Sequence, residues 1–169
     1  MEQNNVKITF AGNPMPVSGK EIKVGDKAPN FTVLDNDLKP VQLSDFDGVK
    51  ILSVFPSLDT GVCASQNRKF NEEAAKHENI DILSISVDLP FAQKRFCGAE
   101  GIDKVKTLSD HKDLDFGEKY GFVMAPLRLL ARGTVVIDKD NTVKHVEYVS
   151  EVTTEPNYEA ALKVAAELV

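Results

Sequence analysis

Apolar and polar positions change period several times along the chain, and each change marks an element. Val6-Lys7-Ile8-Thr9-Phe10 alternates and Gly12-Asn13-Pro14 follows as a turn, which predicts an N-terminal hairpin with its second strand near Met15–Val17. After the loop Gly25-Asp26-Lys27-Ala28-Pro29, Phe31–Leu34 and Val41–Leu43 are further short strands. Lys50–Phe55 is apolar with little alternation and stops at Pro56, the pattern of a strand buried on both faces. From Val62 to His77 the period becomes helical: Cys63, Phe70 and Ala74 share one face, and Arg68, Lys69, Glu72 and Glu73 supply polar surface. Ile80–Val87 is the next buried strand. Asp88-Leu89-Pro90 opens a short helix, with Pro90 in its first turn, and Gly98 is expected to end it. Lys106–Leu108 is a strand and Asp113–Tyr120 a short helix. Leu129–Ile137 then turns through Asp138-Lys139-Asp140-Asn141 into Val143–Val149, and Asn157–Leu168 closes the chain as a helix.

Strands alternating with helices, followed by a late hairpin, predict an α/β fold with a central mixed sheet flanked by helices. At 169 residues the chain fits a single domain, 1–169, with a substantial core, and it contains no internal repeat, low-complexity segment or linker. The formal net charge of −6 and the scattered lysines argue against nucleic acid as a partner, because phosphate binding needs clustered Lys and Arg. No apolar run approaches the roughly 18 residues of a membrane-spanning helix. Met1-Glu2-Gln3-Asn4-Asn5 has neither the basic region nor the apolar run of a secretory signal, so a cytoplasmic protein is expected.

Cys63 and Cys97 are the two cysteines, and no C-x-x-C pair occurs. A stabilising disulfide does not fit a reducing compartment, which leaves two readings: buried structural thiols or redox chemistry. The surroundings of Cys63 favour the second. In Pro56-Ser57-Leu58-Asp59-Thr60-Gly61-Val62-Cys63 a buried strand ends and a helix begins. Unpaired N–H groups and the positive end of the helix dipole there stabilise negative charge on a sulfur. Thr60, three residues before Cys63, is close enough for its hydroxyl to donate to the sulfur or to a bound peroxide, and Pro56 fixes the loop while offering no donor. Cys97 sits near the end of its helix, where the dipole disfavours a thiolate.

The Pro-x-x-x-Thr-x-x-Cys pattern of Pro56, Thr60 and Cys63 resembles the active site of the peroxiredoxin family, and Pro56–Ala74 is similar to its bacterial thiol peroxidase branch. The N-terminal hairpin, the Phe116–Gly121 run, Leu130–Asp138 and the Thr153–Tyr158 approach to the last helix resemble the same branch, so the likeness covers nearly the whole chain. It implies a thioredoxin-like fold and a cofactor-free peroxidase acting on hydrogen peroxide and organic hydroperoxides. It further implies Cys63 as the peroxide-attacking residue, Thr60 and Pro56 shaping its pocket, and Arg132 completing the catalytic set. Cys97 matches the resolving cysteine of the single-chain, two-cysteine mechanism, in which a Cys63–Cys97 disulfide forms and thioredoxin reduces it. A homodimer is also implied. Arg132 offers a permanent charge and a planar fork of donors, but Arg128, four residues earlier, competes for that role. Gly133 departs from the branch, where a small residue with a side chain is expected.

Other features carry less. His77, His111 and His145 lack metal-site spacing, Asp113-Leu114-Asp115 lacks the ligands of a calcium loop, and no glycine-rich phosphate loop is present. Asn30-Phe31-Thr32 fits a glycosylation sequon that a cytoplasmic chain would not use. Phe91, Phe96, Phe122, Met124 and Leu127 are expected in the core, unless some of them line the Cys63 pocket or a dimer face. A thiol–disulfide oxidoreductase lacks its C-x-x-C here, and a binding module with vestigial cysteines would not need the Pro56, Thr60 and Cys63 set.

Overall fold

The computed structural model describes residues 1–169. It opens with a hairpin of β1 (Ile8–Phe10) and β2 (Asn13–Met15). Phe10 pairs with Asn13, so the turn is Ala11-Gly12, with φ of 51° and 83°. Positive φ at both central positions gives the twist that a two-residue hairpin needs. The second strand therefore ends at Met15, where the sequence pattern had it begin. Pro14 is tolerated opposite Thr9 because the Thr9 N–H points outward, to the Ser150 carbonyl at 2.8 Å. Glu151 clamps the hairpin to the body. Its carboxylate accepts from the Thr153 hydroxyl (2.6 Å) and amide (2.8 Å), from the Gly12 amide (2.8 Å) and from the Thr9 hydroxyl (2.7 Å). These donors, the Thr153 hydroxyl foremost, hold the Glu151 carboxyl well below the usual carboxylate range.

Next come β3 (Thr32–Leu34), β4 (Pro40–Gln42), β5 (Val49–Val54), α1 (Gly61–Lys76), β6 (Ile80–Ser86), α2 (Pro90–Glu100), β7 (Lys106–Ser109) and α3 (Asp115–Tyr120). β8 (Val123–Met124), β9 (Leu129–Leu130), β10 (Gly133–Ile137), β11 (Val143–Tyr148) and α4 (Tyr158–Leu168) complete the chain. The main sheet runs β11-β10-β5-β6-β7-β3-β4, with β5, β6 and β7 mutually parallel and the other pairs antiparallel. Alternation along the central strands divides the interior into two layers. Leu52, Val54, Leu83, Ile85, Val135 and Ile137 face α3 and the N-terminal segment, whereas Val49, Ile51, Ile80, Ile82 and Val136 face α1 and α4. This is the thioredoxin-like arrangement expected from the sequence, with the N-terminal hairpin added. No helix is long and apolar enough to cross a membrane.

Two boundaries differ from the sequence pattern. α2 runs through Gly98, which lies on an exposed stretch, and stops at Gly101, whose left-handed φ of 68° lets its N–H return to the Cys97 carbonyl. The expected strand Leu129–Ile137 is broken. Leu129–Leu130 pairs with β8 in a separate small sheet, Ala131 and Arg132 belong to neither sheet, and β10 starts at Gly133. Gly133 is required by space. A Cβ there would meet the Glu147 backbone carbonyl, closer than any real contact, and lie 2.7 Å from the Phe122 ring. The small side chain expected at this position has nowhere to go. Of the aromatic and apolar residues assigned to the core, Phe122 and Met124 are fully buried, Phe96 is half-buried, and Phe91 and Leu127 are exposed.

Gly133→Ala is expected to cost about 2–3 kcal/mol, the range of overpacking in a closed site, read from the urea midpoint at unchanged slope. Asp110 gives the fold a pH dependence. It is buried where α3 begins and accepts from the Phe116 and Gly117 amides at 3.0 and 2.8 Å, yet burial outweighs these bonds and pushes its carboxyl up from 3.8 to about 7. Between those values the folded state binds more protons than the unfolded chain, so this residue's contribution falls as pH rises from about 4 to about 7. Urea unfolding at pH 5 and pH 8 is expected to show that loss in the wild type and a smaller one in Asp110→Asn.

Candidate active site

The site is built where β5 runs out. Val54, Phe55 and Pro56 are buried as the chain leaves the sheet, and Ser57–Thr60 form the loop into α1. Thr60 is the N-cap: its Oγ1 accepts from the Cys63 amide at 3.3 Å, while its single proton goes to the Ser57 carbonyl at 3.3 Å. Its hydroxyl thus fixes the helix start, and the bond to the sulfur expected from spacing is not made in this state. Cys63 lies in the first turn of a sixteen-residue helix and is fully buried against Phe55 and Leu58, with Phe96 packed over the cluster.

Arg132 reaches the same point from the break between β9 and β10. It is 2% exposed and uses each nitrogen of its fork. Nε donates to the Val152 carbonyl at 2.8 Å, Nη1 to Gln66 Oε1 at 2.8 Å and Nη2 to the Cys63 Sγ at 3.1 Å. Two of the three partners are neutral oxygens, so the sulfur is the one group in this set that can carry the balancing negative charge. Arg128 is placed elsewhere: it is exposed, has a left-handed φ of 52°, and donates to the His111 carbonyl at 2.8 Å. The geometry therefore puts Arg132, which the resemblance favours, beside Cys63 and places its competitor Arg128 elsewhere.

Gln66 was not singled out by sequence reasoning, although it sits one turn after Cys63 on the buried face. Its Nε2 donates to Ser53 Oγ at 2.8 Å and to the Val54 carbonyl at 3.2 Å, which leaves Oε1 aimed at Arg132. The detectable signal was a polar side chain one helical turn from Cys63 and four residues before Phe70, both on the face packed against the sheet. Asn67, also fully buried, donates to the Cys63 carbonyl at 2.9 Å and accepts from Ser84 Oγ at 2.7 Å, pinning α1 to β6. Tyr158, at the start of α4, stands edge-on to Phe70 and donates to Glu155 Oε1 at 3.2 Å. Burial pushes its phenol well above the usual range; the Glu155 charge adds to this and the Arg132 charge opposes it.

Cys97 is not part of this constellation. Both thiols are free, and Cys97 is half-buried, with its sulfur 3.5 Å from Thr107 Oγ1. Thr107 gives its own hydroxyl proton to Asn36 Oδ1 at 2.9 Å, so the sulfur is the donor in the other bond. Cys97 thus lies late in α2 beside a hydroxyl, whereas Cys63 faces a cation at the start of α1. The structure brings Thr60, Cys63 and Arg132 together, with buried Pro56 on the loop leading to them, and holds Cys97 in a separate environment.

Comparison with known proteins identifies the family. Residues 23–162 match the Redoxin family model. The thiol peroxidase of Halalkalibacterium halodurans is 59% identical over 159 residues, covering 94% of this chain and 96% of its own. That of Bacillus subtilis is 56% identical over 164 residues, covering 96% and 98%. Among solved structures, a peroxiredoxin-like protein from Aquifex aeolicus superposes with a TM-score of 0.91 at 41% identity, covering 96% of this chain and 97% of its own. The thiol peroxidase from Chromobacterium violaceum, at 21% identity and a TM-score of 0.85 over 99% and 98% of the two chains, shares the fold. With the family model spanning most of the chain and relatives this similar over nearly their full length, the protein belongs to the redoxin family, among its bacterial thiol peroxidases, and is a thiol-dependent peroxidase.

Proposed function

We propose that Cys63 is the peroxidatic residue and that Cys97 resolves it within the same chain. The observation that carries this reading is the 3.1 Å bond from Arg132 to the Cys63 sulfur in a closed pocket at a helix start. The thiolate attacks the distal oxygen of a hydroperoxide, an S–O bond forms as the O–O bond breaks, and the departing alkoxide or hydroxide takes a proton. Arg132, with its fork fixed by Gln66 and Val152, stabilises charge on both the attacking sulfur and the oxygens. Thr60 holds the Cys63 amide, and its hydroxyl proton, now given to Ser57, is available to an entering peroxide. Buried Pro56 leaves the loop with one backbone donor fewer to draw water.

Cys63 sulfenic acid then condenses with the Cys97 thiol, giving the disulfide and water. The walls formed by Phe55, Leu58 and Phe96 suit organic hydroperoxides as well as hydrogen peroxide. A thioredoxin-type dithiol returns the pair to thiols, with the chain acting as one domain in a cytoplasmic homodimer. Leu89, Phe91 and Leu127, all exposed, supply apolar surface for such contacts.

Arg132→Lys keeps the charge but loses the fork, and the second-order rate of peroxide consumption by stopped flow is expected to fall about a hundredfold, whereas Arg128→Lys stays near the wild type. If the two variants exchange behaviour, the arginine is wrongly chosen. After one equivalent of peroxide, intact mass is expected to drop by the two hydrogens of a disulfide, and a non-reducing gel to show a monomer. Cys97→Ser is expected to yield Cys63 sulfenic acid, trapped by a dimedone-type reagent. A disulfide-linked dimer as the main product would overturn resolution within one chain.

A further inference from the structure

We propose that Asp88 is a positioning residue that decides when Cys63 and Cys97 can meet. It fastens the Cys63 loop to the start of α2 and so sets how Cys63 sulfenic acid divides between disulfide and overoxidation. This rests on the reading of Cys97 as the resolving thiol.

Asp88 lies between β6 and α2, the helix that carries Cys97, and its carboxylate reaches back to the loop that carries Cys63. Ser57 Oγ donates to Oδ1 at 2.8 Å and the Leu58 amide to Oδ2 at 2.9 Å. Ser86 Oγ, at the end of β6, also donates to Oδ2, at 2.7 Å, and Ser109 Oγ, at the end of β7, donates to the Asp88 carbonyl. One residue thus joins the loop after β5 to the ends of the next two strands.

α2 has little else to hold it. Its N-cap is Leu89, which offers no side-chain cap, and its buried residues are Pro90 and Gln93. Gln93 is anchored to the same group, its Nε2 donating to Ser86 Oγ at 3.2 Å and to the Leu108 carbonyl at 2.9 Å. The remaining ties are Phe96 and Cys97, both packed against the core between the sheet and α1, with Phe96 also over the cluster of Phe55, Leu58 and Cys63, the contact of Cys97 with Thr107, and the exposed ion pairs Arg68–Glu100 and Lys94–Asp37.

For Cys97 to reach Cys63, its sulfur must leave Thr107, Phe96 must leave the pocket, and the loop must yield. The bonds to Asp88 oppose the last step. When they hold, Cys63 sulfenic acid stays enclosed, and a second hydroperoxide can oxidise it to sulfinic acid with release of water or alcohol. When they break, the Cys97 thiol condenses with it and water leaves.

Asp88→Asn keeps the size but loses the charge and replaces one of the two acceptor oxygens with an NH2 donor, so the three donors cannot all be served. Losing bonds to a charged acceptor is expected to raise the open population about tenfold. In the reduced protein, hydrogen exchange is expected to quicken about tenfold over residues 57–63 and 89–97 and to stay unchanged in β5 and β6. In single turnovers followed by quench and mass spectrometry, the disulfide is expected to form about tenfold faster from the sulfenic acid. The hydrogen peroxide concentration that half-overoxidises Cys63 is expected to rise by a similar factor. A variant that merely loses global stability would instead quicken exchange throughout and leave the partition unchanged. Ser57→Ala, which removes the Oδ1 bond and the acceptor of the Asp59 amide but leaves both Oδ2 bonds, is expected to act in the same direction more weakly and serves if Asp88→Asn does not fold. Unchanged local exchange, or an unchanged partition in a variant whose wild type forms the disulfide, would overturn the role of Asp88. A wild type that forms no Cys63–Cys97 disulfide would instead overturn the resolution step on which that role rests.

Discussion

A guanidinium taken almost wholly out of water must be compensated bond by bond, and much of this fold serves that requirement for Arg132. Desolvating such an ion costs several kcal/mol, which is offset only if its three nitrogens find partners. Val152 and Gln66 take two of them, and Cys63 takes the third. The position of Arg132 depends in turn on the break between β9 and β10, because a continuous strand would have kept its backbone in the main ladder. Gly133 lets β10 begin immediately afterwards against β11 and Phe122. The Val152 carbonyl is steadied from a distance: the Val152 amide donates to the Thr9 carbonyl at 2.9 Å, and neighbouring Glu151 grips the turn of the N-terminal hairpin. The hairpin is remote in sequence from the site, yet it buttresses one of the three bonds that orient the fork.

The same economy separates the two sulfurs. Both are on helices of the same face of the sheet, and each environment follows from its place along its helix. Cys63 sits where amides converge and a cation waits, so negative charge is stabilised there. Cys97 sits where carbonyls accumulate, and Thr107 has no proton left to offer it. A thiol pair with equal environments could attack in either direction; the unequal environments of Cys63 and Cys97 support the order proposed above.

Much of this was legible in the sequence because it rests on local rules. The buried strands β5 and β6, the helix opening at Thr60 and the late hairpin all follow from periodicity and capping. The Pro56, Thr60 and Cys63 set could be placed at a strand-to-helix turn for the same reason. What stayed hidden depends on tertiary space. The resemblance favoured Arg132, but the residues alone did not exclude Arg128, since both lie beside β9 and only the chain's path separates them. Gly133 looked like a departure until the Glu147 carbonyl and the Phe122 ring occupied the place of its Cβ. Gln66 carried a weak signal as a polar residue on an apolar face, but its role requires Ser53 of β5 and Arg132, from the break between β9 and β10, to meet it. Thr60 offered two uses for one hydroxyl, and the capping geometry, rather than the spacing, selected between them.

The mechanism proposed for Cys63 and Cys97 sets the site two opposed demands. Attack on peroxide needs Cys63 enclosed and its charge partners fixed, while resolution needs the same sulfur to reach a thiol bonded elsewhere. The fold meets both by distributing its stability unevenly. β5 and β6 are buried almost throughout, and β5 holds the Gln66 that supports Arg132, whereas α2 presents most of its length to solvent and keeps its place through Phe96, Cys97 and a few polar bonds. Opening can then be confined to the loop and the weak helix, since the free energy of a local opening scales with the contacts broken there and not with the stability of the whole. On this view the exposed surface of α2 is a functional property. A better-packed helix would stabilise the reduced enzyme and, by the same amount, delay the step that rescues its oxidised cysteine.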